Sequence, residues 1–484
     1  MLARRSAPPG CREVPLLLLS LLAPLLAAPP IPEGVEAVRD RIDWELAGDE
    51  AAEILSAYLA VDTVNPPGNE EAGATWLADL LDREGIATEI VSHAPGRSSL
   101  IARLEGTGEG GPPLCLLSHI DVVPAEAEHW AVPPFEGRIE EGVVWGRGAL
   151  DMKGLGVLQA LTLAWLARLD VPLQRDVVLL AVADEEVGHL GIEDLVDNHW
   201  DRIGCSHLIN EGGVALRDGL IEGQTVHSIS VAEKGVLWVE MVASGPPGHG
   251  STPREASAPL RLLEAMAAID ERKARPRFDP AMRELLWEAG RHTGGFTGAV
   301  LRSPVLTGLF VRPRLMSSPT TQALITDTVH LTGMRGAVSP NVVPSEAVAV
   351  YDCRLLPGTD PQDVLAELRH LTRRVEGIDF RVLAEKPSMR SPTDDPLFRT
   401  MGRYAVEGRP DHVAAPLLSV GFTDSLFVRQ IGVHAYGYMP FVLTEEELQT
   451  MHGHDERVSV ENLREGLRIL LSIVVDFTGE APSG

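Results

Sequence analysis

The stretch DVVLLAVADEEVG (residues 176–188) decides the fold class, because a run of apolar residues ends abruptly in three acids. A short, continuously apolar run is typical of a strand that is buried on both faces of a parallel sheet. Similar runs lie before and after it, at PLCLLS (113–118) and SHLIN (206–210). The helical segment KGLGVLQALTLAWLARL (153–169) lies between PLCLLS and the run that begins at residue 176. This strand–helix–strand order predicts an α/β protein with a mostly parallel sheet covered by helices on both faces.

The pattern changes near residue 228. The segment SISVAEKGVLWVEMVAS (228–244) alternates and predicts a strand and hairpin, and a helix, a strand and another helix follow before residue 376. We therefore predict a second, smaller α/β domain inserted into the first. The predicted division is an N-terminal segment 1–30, a first domain in two parts at 40–227 and 390–480, and an inserted domain at 228–389.

Composition and charge exclude some classes of function. The chain has 484 residues, 44% of them hydrophobic, and a formal net charge of -27. A protein this acidic repels phosphate, so we expect no nucleic-acid partner. None of the four cysteines forms a Cys-x-x-Cys pair, and Cys115, inside an apolar run, is predicted to be a small buried hydrophobe.

The N-terminus predicts export. Arginines at positions 4, 5 and 12 precede PLLLLSLLAPLLAA (15–28), which has the order of a secretory signal peptide. The apolar run is shorter than the roughly 20 residues that a membrane span needs. We expect a secreted or periplasmic protein. The alternatives are an uncleaved segment that anchors the protein to a membrane and a mis-assigned start codon, which would leave the protein in the cytoplasm.

Polar side chains follow each predicted strand, at the edge where parallel α/β sheets bind ligands. They are His119 and Asp121, then Asp184, Glu185 and Glu186, then Glu211, with Asp151 at the start of the intervening helix. Any one of these acids alone would be a helix cap or a solvated loop residue. Together they would repel one another unless a cation lay between them. Imidazole and carboxylate without thiolate suit zinc, manganese or cobalt.

Two adjacent acids in this set can have different roles, one in binding a cation and the other in proton transfer. Neighbouring residues in an extended segment point to opposite sides, so Glu186 can bind a cation while Glu185 faces water. A carboxylate that is free of metal can take a proton from water whose pKa a cation has lowered.

Nine motifs occur in a fixed order along the chain: SHIDVVP, GRGALDMKG, ADEEVG, INEGG, GPPGHGSTP, SPNVVPSEA, DCRLLPG, SVGFTDS and MHGHDERVSV. With these motifs the sequence resembles the aminoacylase, succinyl-diaminopimelate desuccinylase and glutamate carboxypeptidase family of co-catalytic zinc peptidases. The resemblance covers nearly all of residues 46–478, and it is strongest to the carboxypeptidase S and N-fatty-acyl-amino-acid hydrolase/synthase branch. It implies a zinc-peptidase catalytic domain with a ferredoxin-like lid or dimerisation domain, and hence a homodimer.

The resemblance also implies a site. Asp151 would bridge two divalent ions, with His119 and Glu211 on one ion and Glu186 and His452 on the other. The ions would be zinc, with cobalt or manganese as alternatives. Asp121 would orient His119, and Glu185 would be the general base.

Further residues would handle the substrate. His249 would polarise the scissile carbonyl, in its own site or in the partner subunit's, and Asn341 would assist. Arg354 would hold a substrate carboxylate. Gly421, Thr423 and Asp424 would line the pocket. From the residues alone, the alternatives are an ordinary loop histidine for His249, a turn residue for Asn341 and a surface or ion-paired arginine for Arg354.

Two ligand positions stay open. At INEGG the residue before the glutamate, Asn210, competes with Glu211, and at HGHDE His454 competes with His452. We expect Glu211, because an amide is a weak metal ligand, and we expect His452 from its spacing to Glu456.

The predicted activity is hydrolysis of an amide bond next to a free carboxylate, in an N-acyl amino acid or at the C-terminal end of a short peptide. A dipeptidase or another amidohydrolase of the family is the alternative, and a catalytically silent binding protein is a different class. Segment 273–335 is predicted to shape the pocket, but the sequence does not specify the acyl group or the amino acid.

Overall fold

The computed structural model describes residues 31–219, 221–252 and 255–479, so the predicted signal segment 1–30 lies outside the described residues. The strands in chain order are β1 (Ala87–Ala94), β2 (Arg97–Leu104), β3 (Leu114–His119), β4 (Arg138–Glu140), β5 (Val143–Trp145), β6 (Val177–Val182), β7 (His207–Arg217), β8 (Thr225–Glu233), β9 (Gly235–Ser244), β10 (Gly248–His249), β11 (Thr328–Arg335), β12 (Val342–Val343), β13 (Glu346–Leu355), β14 (Ile378–Lys386), β15 (His412–Ser419), β16 (His434–Leu443) and β17 (Arg457–Ser459).

The helices alternate with these strands. In chain order they are α1 (Glu33–Arg39), α2 (Trp44–Leu59), α3 (Glu70–Arg83), α4 (Lys153–Arg168), α5 (Leu190–Asp194), α6 (Trp200–Ile203), α7 (Ala258–Asp270), α8 (Pro280–His292), α9 (Gly295–Arg302), α10 (Pro304–Leu306), α11 (Arg312–Leu315), α12 (Pro319–Ala323), α13 (Pro361–Thr372), α14 (Pro396–Val406), α15 (Ser425–Gln430), α16 (Glu445–Leu448) and α17 (Val460–Thr478). Every helix in the described ranges is too short or too polar to span a bilayer.

The larger sheet has the order β1-β2-β6-β3-β7-β16-β8-β15. Its centre, from β6 through β3 and β7 to β16, is parallel, as is the β8–β15 pair. The remaining neighbours are antiparallel. All residues of β3 and β6 are buried, which is why their sequences are apolar on both faces. The predicted α/β class with a mostly parallel sheet is confirmed.

Helices cover both faces of this sheet. On one face α4 packs against β3 and is itself covered by α2 and α17, so α4 is buried almost all round and its sequence lacks a polar stripe. On the other face, residues of α5, α6 and α15 share a hydrophobic core with alternate residues of the central strands. The carboxyl ends of the parallel strands are left for polar side chains.

Cys115 differs from its prediction. It is buried, but it forms a disulfide with Cys205, with the two Cα atoms 5.8 Å apart. The two cysteines are 90 residues apart in sequence, so no local motif signals the pair. They meet because Cys115 lies in β3 and Cys205 directly precedes β7, the parallel neighbour of β3. Of the other described cysteines, Cys353 is free and buried.

The smaller sheet is antiparallel and has the order β11-β13-β9-β14. The chain passes through it as β9, α7, β11, β13, α13, β14, which is the βαββαβ arrangement of a ferredoxin-like domain. Helices α7 and α13 pack on the sheet and share its hydrophobic core. Strand β8, which crosses residue 228, still belongs to the larger sheet, and the domain boundaries stay a prediction.

The helices between α7 and β11 form a separate layer. α8 packs on the edge strand β15, and Met282, Leu285 and Leu286 share a small core with Val226 and Ala415. This layer accounts for most of segment 273–335, where the sequence predicts a pocket-shaping role.

Candidate metal centre

Polar side chains from β3, from β7 and from the segment before α4 lie close together. His119, the last residue of β3, places Nε2 3.0 Å from Oδ1 of Asp151 and 3.6 Å from Oε1 of Glu211. Asp151 lies just before α4, and Glu211 lies within β7. These three residues form one half of the centre that the sequence predicts.

The other half is built on the second oxygen of the same aspartate. His452 places Nε2 3.0 Å from Oδ2 of Asp151 and 3.2 Å from Oε2 of Glu186. Each carboxylate oxygen of Asp151 therefore faces a different imidazole. All five predicted ligands lie in one cluster, arranged in two halves around Asp151.

The electrostatics of the cluster indicate that a positive charge belongs there. Burial, followed by the repulsion of neighbouring carboxylates, raises the pKa of both Glu185 and Glu211 well above the usual range. Hydrogen bonds to Asp151 and Glu186 raise the pKa of His452 to about 10. None of these groups has a Lys or Arg partner among the described ion pairs. Carboxylates and imidazoles without a cationic side chain fit divalent metal ions.

The geometry also bears on the two ligand assignments that the sequence leaves open. Asn210 donates its side-chain N–H groups to Thr423 and Ser425 and makes no described side-chain contact with the five ligands. His454 lies against the ring of His129, with the ring centroids 5.2 Å apart. Glu211 and His452, which we expected as ligands, are the residues that face Asp151 and His119.

Glu185 lies beside the first half of the cluster. One of its carboxylate oxygens lies within 4.8 Å of ligand atoms of both His119 and Glu211. It makes no described side-chain hydrogen bond, whereas its backbone N–H donates to Oδ1 of Asp121 at 3.1 Å. A half-buried carboxylate with no described side-chain hydrogen bond, next to the ligands, is placed to exchange a proton with a bound water.

Asp121 acts on the site in two ways. Its backbone carbonyl oxygen lies 2.9 Å from Nδ1 of His119, while its carboxylate is farther, at 3.6 Å. The carboxylate accepts the backbone N–H groups of Glu185 and Glu186, both at 3.1 Å, and the side-chain amide of Asn65. Asp121 therefore orients the imidazole through its main chain and holds the acidic loop through its side chain.

Asp184 does not face the cluster. The prediction that a metal ion compensates the charge of all three adjacent acids is therefore wrong for Asp184. Its Oδ1 accepts from Nη1 of Arg97 at 2.5 Å and from the amide of Asn65 at 2.8 Å. Arg97 also pairs with the buried Glu70. The positive charge that Asp184 needs is an arginine from β2, 87 residues away in sequence, and no motif around Arg97 announces that role.

A second buried arginine pair fixes the loop that carries Asp151. Glu456 accepts the backbone N–H groups of Gly148, Leu150 and Asp151 at 2.7–3.1 Å and pairs with Arg147 at 2.5 Å. Because Glu456 belongs to the same segment as His452, one stretch of chain supplies a ligand and anchors another. The fixed spacing of the two within HGHDE is the only sequence signal for this role.

Among the described contacts of the predicted substrate residues, those of Asp424 reach the centre, because one of its carboxylate oxygens lies within 4.8 Å of ligand atoms of Glu185 and His189. Thr423 donates to the buried Glu233 at 2.6 Å, and Oδ1 of Asp424 lies 2.9 Å from Nδ1 of His189. Gly421 is exposed, with open space where a side chain would be. Arg354 stacks on Phe422 at 4.9 Å and pairs with its neighbour Asp352 at 2.7 Å.

His249 and Asn341 lie apart from the five ligands. His249 belongs to the small β10–β12 ladder, and Asn341 directly precedes β12, where its carbonyl accepts from the N–H of Gly250 at 2.8 Å. His249 is exposed, and its ring contacts Ser251. The structure thus brings these two residues to each other, and none of their described contacts reaches the metal cluster.

Comparisons with known proteins agree with this arrangement. The family described as "Peptidase family M20/M25/M40" matches residues 115–476. The chain is 28% identical over 439 residues to the N-fatty-acyl-amino acid synthase/hydrolase PM20D1 of Xenopus tropicalis, covering 86% of this chain and 84% of the relative. It is also 28% identical over 431 residues to aminoacylase-1B of Rattus norvegicus, covering 87% and 93%.

A solved structure shares the fold. The M20 family metallo-carboxypeptidase Sso-CP2 from Sulfolobus solfataricus superimposes with a TM-score of 0.68 at 19% identity, covering 88% of this chain and 99% of the other. The family resemblance of the sequence and its suspected branch are confirmed. The chain belongs to peptidase family M20/M25/M40 and is an enzyme of its metallopeptidase and aminoacylase type.

Proposed function

We propose that this enzyme hydrolyses an amide bond adjacent to a free carboxylate, in an N-acyl amino acid or at the C-terminal residue of a short peptide. The observation that carries the proposal is the division of the cluster into two halves around Asp151, with Glu185 unpartnered beside it. The names of the relatives, an aminoacylase and an N-fatty-acyl-amino acid hydrolase, support this class of substrate.

The five ligands would hold two divalent ions, which we propose are zinc, with cobalt and manganese as alternatives. Bound there, the ions would lower the pKa of water and polarise the amide carbonyl. His119 and Glu211 would serve one ion, His452 and Glu186 the other, and Asp151 both. The hydrogen bonds that Asp121 and Glu456 accept keep these side chains and their loops in place before substrate arrives.

Glu185 would hold the proton that moves. Burial already favours its protonated form by raising its pKa, so it can accept a proton from water and pass it to the leaving amine. Its backbone is fixed by Asp121, which limits the positions that the carboxylate can sample. This pairing of a fixed backbone with an unpartnered carboxylate suits a general base.

The free carboxylate of the substrate would bind Arg354. Its guanidinium lies over Phe422, next to Thr423 and Asp424, and is held by Asp352. A planar guanidinium offers two parallel donors to a carboxylate. His249 and Asn341 would approach the scissile carbonyl from the inserted domain, either on closure of that domain or from the partner subunit of a homodimer.

We propose that the protein is exported and is secreted or periplasmic. The N-terminal pattern predicts a signal peptide, and disulfides such as Cys115–Cys205 persist mainly in secreted and periplasmic proteins.

The test is a substrate panel with Glu185→Gln as the matched variant. We expect zinc-loaded wild type to hydrolyse N-acyl amino acids, and we expect Glu185→Gln to lose about 10³-fold or more in kcat while binding the same amount of zinc. Hydrolysis of dipeptides alone would favour the dipeptidase alternative. A folded, zinc-loaded wild type that is inert toward short-acyl, fatty-acyl and dipeptide substrates would contradict the proposal and favour a binding protein.

A further inference from the structure

A second group of metal-ligating side chains lies at the opposite edge of the larger sheet. His207 is the first residue of β7, His434 is the first residue of β16, and the two are paired in the parallel register of these strands. Asp395 directly precedes α14. We refer to His207, Asp395 and His434 as the His–Asp–His cluster. It lies where the parallel strands begin, whereas the catalytic centre lies where they end.

The side chains of this cluster converge on one carboxylate oxygen. Oδ2 of Asp395 lies 3.1 Å from Nε2 of His207 and 2.8 Å from Nδ1 of His434. The separations in the catalytic centre are similar, at 3.0–3.6 Å between imidazole nitrogens and carboxylate oxygens. Two imidazoles and one carboxylate within this distance can serve one transition-metal ion, with positions left open for water.

The atoms that do not converge are held by neighbours. Nδ1 of His207 lies 2.8 Å from Oγ of Ser206, and Oδ1 of Asp395 accepts the backbone N–H of Leu397 at 2.8 Å. Such bonds on the far side of a ligand fix its orientation and, for histidine, its tautomer. The backbone of the cluster is also held in place, because His207 and His434 begin two hydrogen-bonded strands and Asp395 is the N-cap of α14.

The His–Asp–His cluster is partly exposed to solvent and has one cationic side chain nearby. The side chain of Asp395 is 4% exposed and that of His434 is 41% exposed, so the cluster is anchored below the surface and open on one side. A nearby cation, Arg175, opposes metal binding, but its guanidinium stacks on the ring of Phe477 at 4.4 Å. We propose that His207, Asp395 and His434 form a second metal site, separate from the catalytic centre, that binds one zinc ion.

Zinc titration of the metal-free protein tests the proposal, with His434→Ala as the variant and His412→Ala as its matched control. His412 begins β15, which is separated from β16 by β8 in the same sheet, and it contacts His227 rather than Asp395. We expect His434→Ala to bind one zinc ion fewer per chain than wild type, and His412→Ala to bind as many as wild type. Zinc should also raise the Tm of wild type more than that of His434→Ala, because a ligand of the folded state stabilises it. Arg175→Gln should tighten zinc binding at this site.

The difference between variants does not depend on catalysis. His434→Ala should hydrolyse substrate within about twofold of wild type, since it touches none of the catalytic ligands. If the proposed hydrolase activity failed, the difference of one zinc ion would still be expected. Equal zinc binding by wild type and His434→Ala, or an equal loss in His412→Ala, would overturn the second site and leave a carboxylate that merely accepts two imidazole N–H groups.

Discussion

At the scale of single residues, the acids of ADEEVG divide among three roles. Asp184 pairs with Arg97, Glu185 stays without a side-chain partner in the described part of the chain, and Glu186 faces His452. Three adjacent carboxylates are tolerated because each points into a different environment. The positive φ of Asp184, 70°, marks the turn that separates them.

Removing the arginine that compensates Asp184 should destabilise the protein. Arg97 is 17% exposed and pairs with both Glu70 and Asp184, so Arg97→Ala leaves two buried carboxylates uncompensated. We expect the free energy of unfolding to fall by about 3 kcal/mol, as measured by urea denaturation. Arg138→Ala is the control, because Arg138 and its partner Glu136 are both exposed, and it should cost less than about 1 kcal/mol. Equal effects in the two variants would contradict this role.

At the scale of elements, the disulfide joins the two strands that carry the ligands of one half of the centre. Cys115 lies four residues before His119, and Cys205 lies six residues before Glu211. The bond therefore ties β3 to the start of β7 at the end of each strand that is far from the ligands.

Loss of this bond should lower stability through the unfolded chain. A loop closed over 90 residues restricts the unfolded state, so Cys205→Ala should cost about 4 kcal/mol in unfolding free energy. Reductant should destabilise wild type and Cys353→Ala but have no further effect on Cys205→Ala. A stability of wild type that does not respond to reductant would argue against the bond.

A histidine pair at strands β8 and β15, of which His227 is buried, predicts that acid destabilises the protein. His227 bonds the Tyr438 hydroxyl at 2.8 Å and Nδ1 of His412 at 2.7 Å. Burial, followed by repulsion from His412 and Arg409, lowers the pKa of His227 to about 3. In the unfolded chain this histidine has its ordinary pKa of 6.5 and takes up a proton below it, while the folded chain does not, so stability falls as pH drops from 6.5 toward 3.

His227→Gln should weaken this pH dependence. Between pH 8 and pH 5, urea unfolding of wild type should show an additional loss of about 2 kcal/mol that the variant lacks, at roughly 1.4 kcal/mol per pH unit below the unfolded pKa. His129→Gln, at an exposed position, should keep the wild-type slope. The same slope in His227→Gln would show that other groups dominate.

At the scale of the whole molecule, the exposed position of His249 raises the question of which site it serves. If it serves the partner subunit's site, two inactive variants should complement each other. Co-expressed His249→Ala and Glu185→Gln should regain about a quarter of wild-type activity, because half of the randomly formed dimers are mixed and each has one complete site. The measurement is the activity of the whole co-expressed mixture, per amount of total enzyme.

A control pair of variants distinguishes complementation between subunits from other causes of recovered activity. Glu185→Gln and Asp151→Asn both damage the same centre, so their mixture should stay inactive. An inactive mixture of His249→Ala and Glu185→Gln would show that His249 acts within its own subunit.

The sequence by itself determined the α/β class, the identity of the buried strands and the family. Apolar runs reflect burial on both faces of a strand, and the residues after those runs lie at one edge in any parallel sheet. The order of residues along the chain therefore suffices to group Asp151, Glu211 and His119. Local pattern contains that information because each signal spans only a few residues.

Only the tertiary structure decided which distant groups neutralise and hold the site. Arg97 beside Asp184, Glu456 beneath the Asp151 loop and the Cys115–Cys205 bond each join segments 87 or more residues apart. Their partners depend on strand order and register, which set distances across the sheet and leave no periodic trace along the chain.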